Sequence, residues 1–200
     1  MSSTENTILG LKLPTDPRWA NIPEISLEDI LTDHAFCEQK AASTCISLIQ
    51  RYSDHEELVE AIAPVVTEEW GHFRMVLAEL KKRGYKLGRQ RKDDYVNKLL
   101  QHEPKDISPK ERLLHKLMIS ALIEARSCER FRLLSLHISD ESLREFYHKF
   151  MVSEAGHYRL FLDLAKVYYH EDLVRKTWLG WLQTEKDILL EMTPRADRMH

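Results

Sequence analysis

Two Glu-x-x-His couples, each with a lone glutamate well upstream, limit this chain's fold more than any other feature. Glu69-Trp70-Gly71-His72 returns as Glu154-Ala155-Gly156-His157, with Glu38 standing 31 residues before Glu69 and Glu124 standing 30 before Glu154. On a helix, residues three apart are offset by about 60° around the axis and about 4.5 Å along it, so both side chains can face one ion. The chain therefore reads as two helix pairs, each offering one carboxylate and then a carboxylate–imidazole couple. Four-helix bundles turn such a set inward to hold two metals.

Spacing alone is weak evidence. With 20 Glu and 10 His in 200 residues, about one Glu-x-x-His arises by chance, and the chain has three. Glu145-Phe146-Tyr147-His148 falls off the apolar stripe of Leu143, Phe146 and Phe150 and reads as a solvated face. The other two couples lie inside their stripes, where an unpaired carboxylate is costly. Two divalent ions balance the four negative charges of Glu38, Glu69, Glu124 and Glu154, and His72 and His157 complete the donors. Many carboxylates with only two imidazoles favour iron or manganese over structural zinc, and iron best. The competing reading is a set of buried ion pairs on an amphipathic bundle.

The periodicity predicts where these residues sit. An extended arm occupies residues 1–25, with Pro14, Pro17 and Pro23, and its Trp19 and Ile22 are candidates to pack on the bundle. A first helix runs from the N-cap Ser26 to about Tyr52, with residues 31, 34, 38, 41, 45, 48 and 52 as its apolar stripe. Ser53-Asp54-His55-Glu56 has the form of a capping box and opens a second helix to about Arg83, capped by Gly84 and kinked or split by Pro64. Residues 85–107 form a long connection with a short helix at about Asp93 to His102, the length of a crossover. Ser108-Pro109-Lys110-Glu111 caps a helix to about His137, Asp140 one to about Tyr169, and a further helix spans about Glu171 to Met192 with Trp178, Trp181 and Leu182. The domain is thus residues 26–192, all-α, a four-helix bundle with a long crossover and an additional C-terminal helix, followed by a loose tail, 193–200.

Other polar residues near the stripes have plainer readings. Glu129 competes with Glu124, but five residues on it is rotated by about 140°, and it pairs more simply with Arg126, Arg130 or Arg132. His34, one turn before Glu38, reads as a satisfied core histidine, with lining a substrate channel or supporting a ligand from behind as the alternatives. Cys45 and Cys128 read as small apolar fillers, and the three cysteines have no Cys-x-x-Cys, which excludes a zinc ribbon, an iron–sulfur centre or a disulfide framework.

A net charge of −3 gives no global signal for a polyanion. One stretch departs from it: Lys81, Lys82, Arg83, Lys86, Arg89, Arg91 and Lys92 stand together without an acidic residue, a candidate RNA contact or a solvated helix end. The first residues lack a signal-peptide pattern and the longest apolar run, Ala61 to Val66, is far too short for a membrane span, so the expected compartment is the cytoplasm.

Several segments resemble a known family, the tRNA hydroxylases that act on 2-methylthio-isopentenyladenosine beside the anticodon, ferritin-like non-haem di-iron monooxygenases. They are Leu9 to Trp19, Cys37 to Ser43, Glu68 to Phe73, Ile123 to Phe131 and Ser153 to Tyr158. The Glu-x-x-His couples are common to all ferritin-like carboxylate proteins, and the Ile123 to Phe131 segment discriminates more. The resemblance implies a ferritin-like fold and two iron ions on Glu38, Glu69, His72, Glu124, Glu154 and His157, with Glu69 and Glu154 bridging. It also implies O2 as co-substrate, tRNA as substrate and hydroxylation of the isopentenyl methyl group. Glycine at 71 and 156 leaves room near the metals. The sequence holds no Gly-rich dinucleotide turn and no cysteine-ligated iron centre, so the electrons are expected from a separate reductase. A monomer or small oligomer fits this reading; a shell of many subunits would fit the alternative, a ferritin-like ferroxidase, iron-storage or peroxide-handling protein.

Overall fold

A computed structural model of the chain describes residues 9–15, 27–90 and 92–192. Trp19, Ile22, Ser26, Arg91 and the tail after Met192 lie outside the described residues. Those described form six helices and no strand: α1 (Leu27–Arg51), α2 (Glu56–Lys82), α3 (Asp94–Gln101), α4 (Pro109–His137), α5 (Glu141–Tyr168) and α6 (Glu171–Glu191). No described helix is long and apolar enough to cross a membrane. The helices fall into two compact units, one built on α1 and α2, the other on segment 9–15 and α3 to α6.

In the first unit α1 and α2 form a hairpin. Glu28 and Asp29 in the first turn of α1 and Arg51 in its last complement the helix dipole. The inward stripes bury Leu31, Cys45 and Leu48 of α1 and Leu58, Ile62, Val65, Val76 and Leu80 of α2. Each large aliphatic side chain so buried stabilises the pair by about 1.5–3 kcal/mol.

One expectation at α2 needs correction and another is narrowed. Ser53 is not its cap: Tyr52 N–H still donates to Leu48 O and His55 N–H to Tyr52 O, so a turn intervenes. The N-cap is His55, which makes no side-chain capping bond. Instead its ring Nδ1 meets Asp54 Oδ1 at 2.9 Å. Pro64 does not split the helix, which runs unbroken from Glu56 to Lys82. Proline forfeits one i→i−4 bond, and here it sits on the exposed face, where water can satisfy the bereft carbonyl. The far end is as expected: Gly84 at φ +77° lets Gly84 N–H reach Lys81 O and Tyr85 N–H reach Leu80 O, the paired bonds of a Schellman cap. The turn that follows is tied back to α1 by Lys86 N–H to Glu28 Oε1 and Gly88 N–H to Thr32 Oγ1, both 3.4 Å.

In the second unit α4 is the hub. Its capping box is complete, with Glu111 N–H donating to Ser108 Oγ and Ser108 N–H donating to Glu111 Oε2. Between Leu113 and Leu134 it is buried almost all round, because it packs against α5, α6 and α3. The single stripe read from sequence describes only one of its sides. Asp140 caps α5 through Leu143 N–H, and α3 begins and ends at Asp93 and His102 as N- and C-caps. The Trp181 indole of α6 donates to His115 Nδ1 of α4 at 3.0 Å.

The outer side of α4 carries an ionic knot. Arg126, 0% exposed, donates through Nε to Glu185 Oε1 at 2.7 Å, through Nη2 to Leu13 O at 2.9 Å, and through Nη1 to Glu129 and Thr15. Tyr95 O–H donates to the same Glu185 oxygen at 3.2 Å. Segment 9–15 and α6 are thus fastened to one guanidinium, and α3 to the Glu185 carboxylate that it holds. Burial opposes the Arg126 charge, but Glu185 and then Glu129 outweigh it and hold its pKa above the ordinary range. Beside it, burial and then the Arg126 charge lower Arg130 to about 10.

Candidate metal centre

The first unit brings together its three candidate donors. Glu38, Glu69 and His72 are all buried although two are ionisable acids. His72 Nδ1 stands 3.3 Å from Glu38 Oε2 and 3.5 Å from Glu69 Oε2. Those separations exceed an ordinary N–H···O bond of about 2.7–3.2 Å. The shorter is the spacing of two donors sharing one ion, since ligands at ~2.1 Å subtending 90–110° stand about 3.0–3.4 Å apart, and the longer lies just beyond it. His72 Nε2 lies 3.9 Å from Glu68 Oε1, whose side chain is half exposed. A proton on Nε2 leaves the Nδ1 lone pair facing the two carboxylates, the tautomer a metal needs.

His34 has a definite task here. Fully buried, it holds Glu38 Oε1 through Nε2 at 2.7 Å, while the other Glu38 oxygen faces His72. A histidine that orients a ligand carboxylate is one of the outer partners that tune a metal site. The sequence places His34 on the Glu38 face, and the structure shows it buried there and paired with that carboxylate.

The second unit repeats the arrangement on α4 and α5. Glu124, Glu154 and His157 are buried, and His157 Nδ1 again faces its own couple's carboxylate, 3.6 Å from Glu154 Oε2. Cys128, one turn after Glu124, donates its thiol to Met151 O at 3.3 Å. Burial, then the charges of Glu154 and Glu129, push that thiol up to about 12, so it remains a protonated filler. Glu129 is held by Arg126 and accepts from Thr15 N–H at 3.0 Å and Thr15 Oγ1 at 2.5 Å, which accounts for it away from the donors. Glu145 and His148 of the discarded third couple are exposed.

The glycines call for one correction. A Cβ on Gly71 or Gly156 would meet nothing within 4 Å, but Gly71 is rotated by about 200° from Glu69 around α2 and Gly156 is exposed. The room they leave is on the outer helix faces. Of the seven basic residues singled out, Arg83 Nε pairs with Glu79 Oε1 at 2.6 Å and Lys82 Nζ reaches Glu79 Oε2 at 3.5 Å. Lys81, Lys86, Arg89 and Lys92 are exposed, and Arg91 lies outside the described residues.

Known proteins share this layout. A solved protein from Synechococcus, described as having aldehyde deformylating oxygenase activity, superposes with a TM-score of 0.89 at 34% identity, covering 95% of this chain and 94% of that one. With the six helices, that likeness gives an all-α fold of the ferritin-like class. Curated proteins from Pseudomonas putida and Salmonella typhimurium, both named tRNA 2-(methylsulfanyl)-N(6)-isopentenyladenosine(37) hydroxylase, are also similar. The first is 39% identical over 82% of this chain and 80% of its own length. The second is 28% identical over 95% and 87%. The family model for tRNA-(MS2IO6A)-hydroxylase (MiaE) matches residues 3–200, and the chain belongs to that family of tRNA hydroxylases.

Proposed function

We propose that this enzyme hydroxylates the isopentenyl group of 2-methylthio-isopentenyladenosine next to the anticodon of tRNA, at a centre completed by Glu38, Glu69, His72, Glu124, Glu154 and His157. The observation that carries the reading is the repetition of one buried donor set, glutamate then Glu-x-x-His, in both helical units of a chain whose whole length matches the tRNA hydroxylase family. Four carboxylates offset the charge of two divalent ions, and the carboxylate-rich set suits iron. Bound there, two iron ions supply the O2 and redox chemistry of a monooxygenase.

The residues of the chain have separable tasks. Glu38, fixed by His34, presents one oxygen beside His72; the Nε2-protonated form of each imidazole leaves Nδ1 as the donor. Leu31, Ile62, Leu117, Ala121, Phe150 and Phe161 bury the same helix faces and keep water from the carboxylates. The balance is one C–H bond and one O2 consumed, one C–O–H and one water formed, with two electrons and two protons supplied. A separate reductase provides the electrons. The substrate is single-stranded at the modified base, which can leave its stack to reach a pocket. The protein works in the cytoplasm as a monomer or small oligomer.

Nucleoside mass spectrometry of tRNA from aerated cells with and without this protein tests the assignment. Hydroxylated methylthio-isopentenyladenosine should be present only with it; an unchanged nucleoside profile rejects the substrate.

A further inference from the structure

Trp70 sits between two donors in sequence yet turns away from both. It is 48% exposed and, among the described phenylalanines, tryptophans and tyrosines, the one that is exposed rather than buried or half-buried. By helical rotation it lies about 100° from Glu69 and about 160° from His72. The half-buried Phe73 ring supports it, centroids 4.9 Å apart. A single exposed apolar side chain is ordinary on a protein surface, so its exposure alone says little. What surrounds it says more.

Along α2, Arg74 and Lys81 are within about 40° of the Trp70 line and extend about 16 Å toward the C-terminus; both are exposed. The carboxylates between Ala63 and Lys82 are Glu68, Glu69 and Glu79, each about 100° or more around the helix from that line. Lys86 and Arg89 stand exposed on the turn that follows α2, whose backbone is fastened to α1 through Glu28 and Thr32. An exposed aromatic ring followed along one helix line by cations, with the helix's own carboxylates turned to other faces, is how proteins hold single-stranded nucleic acid: bases stack on the ring and phosphates follow the charges.

We infer that the exposed face of α2 is an RNA-docking surface on which Trp70 stacks an unpaired nucleotide of the substrate tRNA while Arg74, Lys81 and the turn at Lys86 and Arg89 take its phosphates. This rests on the tRNA reading above and adds to it a surface and a stacking residue. Because Trp70 points away from the donors, the base it takes is a flanking one. The modified adenosine is left free to enter the protein. A protein electron donor is the competing occupant, and cations whose side chains have no acidic hydrogen-bonding partner among the described residues favour RNA.

The test uses the full-length, iron-loaded chain and an anticodon stem-loop RNA, with binding followed by fluorescence anisotropy over a salt series. Trp70→Ala should weaken binding roughly 5- to 150-fold, with Trp70→Phe retaining most of the affinity. Arg74→Glu should lower the slope of log K against log salt by about one. In turnover, Trp70→Ala should raise KM for tRNA with kcat little changed. The half-exposed site makes misfolding a small concern, and circular dichroism of each variant monitors it. Unchanged RNA affinity in folded Trp70→Ala overturns the inference while leaving the function standing. So does a defect confined to electron delivery with RNA binding intact. Failure of the wild type to bind the RNA overturns both.

Discussion

The α1–α2 and α4–α5 hairpins carry the same donor pattern on very different supports. α1 and α2 keep open outer faces, with Ile46, Trp70 and Met75 exposed, and α2 begins without a side-chain cap. α4 has a full capping box, is buried on nearly every side, and is bound through Arg126 to segment 9–15 and to α6, whose Glu185 also holds α3. On the first hairpin the support reaches a donor directly, from His34 to Glu38. On the second it lies behind the helix, two residues from Glu124 along the chain. The same donor pattern thus sits on different supports: Glu38 is bonded directly by a buried histidine, whereas α4 is fastened through the ion pairs of Arg126.

That contrast makes Arg126 the position of largest expected effect. Arg126→Met strands Glu185 and Glu129 in the interior, and breaking a buried ion pair from one side costs about 3–5 kcal/mol. Denaturant unfolding measures it; a loss below ~1 kcal/mol would mean that the knot does not brace α4. His34→Ala comes next. It should lower iron affinity roughly 10- to 100-fold with modest loss of fold stability, and His34→Gln should recover part of it. Equal iron affinity in wild type and His34→Ala would show that Glu38 is positioned without its partner.

The caps sharpen the comparison at smaller scale. Ser108→Ala removes an N-cap and should destabilise by about 1 kcal/mol, whereas His55→Ala removes no capping bond and should stay within about 0.5 kcal/mol. The smallest effect is a pH dependence at His115. Its Nδ1 accepts the Trp181 N–H and burial lowers its pKa from 6.5, against the opposing pull of Glu103 and Glu111. The unfolded chain therefore takes up the proton first as pH falls. Stability is fully present above about 6.5, the unfolded value, and declines below it toward the folded pKa. A urea-midpoint series across that window should show a decline that His115→Gln flattens.

Much of this was legible in residues whose partners are close in sequence. The caps at Ser108 and Asp140, the Gly84 terminus and the pairing of Glu129 with Arg126 follow from local chemistry and helical rotation. His55 was misread because Ser53-x-x-Glu56 satisfies the capping pattern while the backbone is still leaving the previous helix. The sequence pairs Glu129 with a neighbouring arginine but gives no sign that Arg126 and Arg130 are buried. Only the packing of α3, α6 and segment 9–15 makes them interior, through partners such as Glu185, which lies 59 residues away. Periodicity likewise misses a helix buried all round, since one stripe cannot report two packed sides.

The central claim is that both hairpins supply donors to one two-metal centre, and iron stoichiometry tests it most directly. After anaerobic reconstitution and removal of loosely held metal, the wild type should retain about two iron per chain, and Glu38→Ala and Glu124→Ala, one from each hairpin, should each retain about one. Retention of less than about one iron by the wild type, or of two by both variants, would contradict the account.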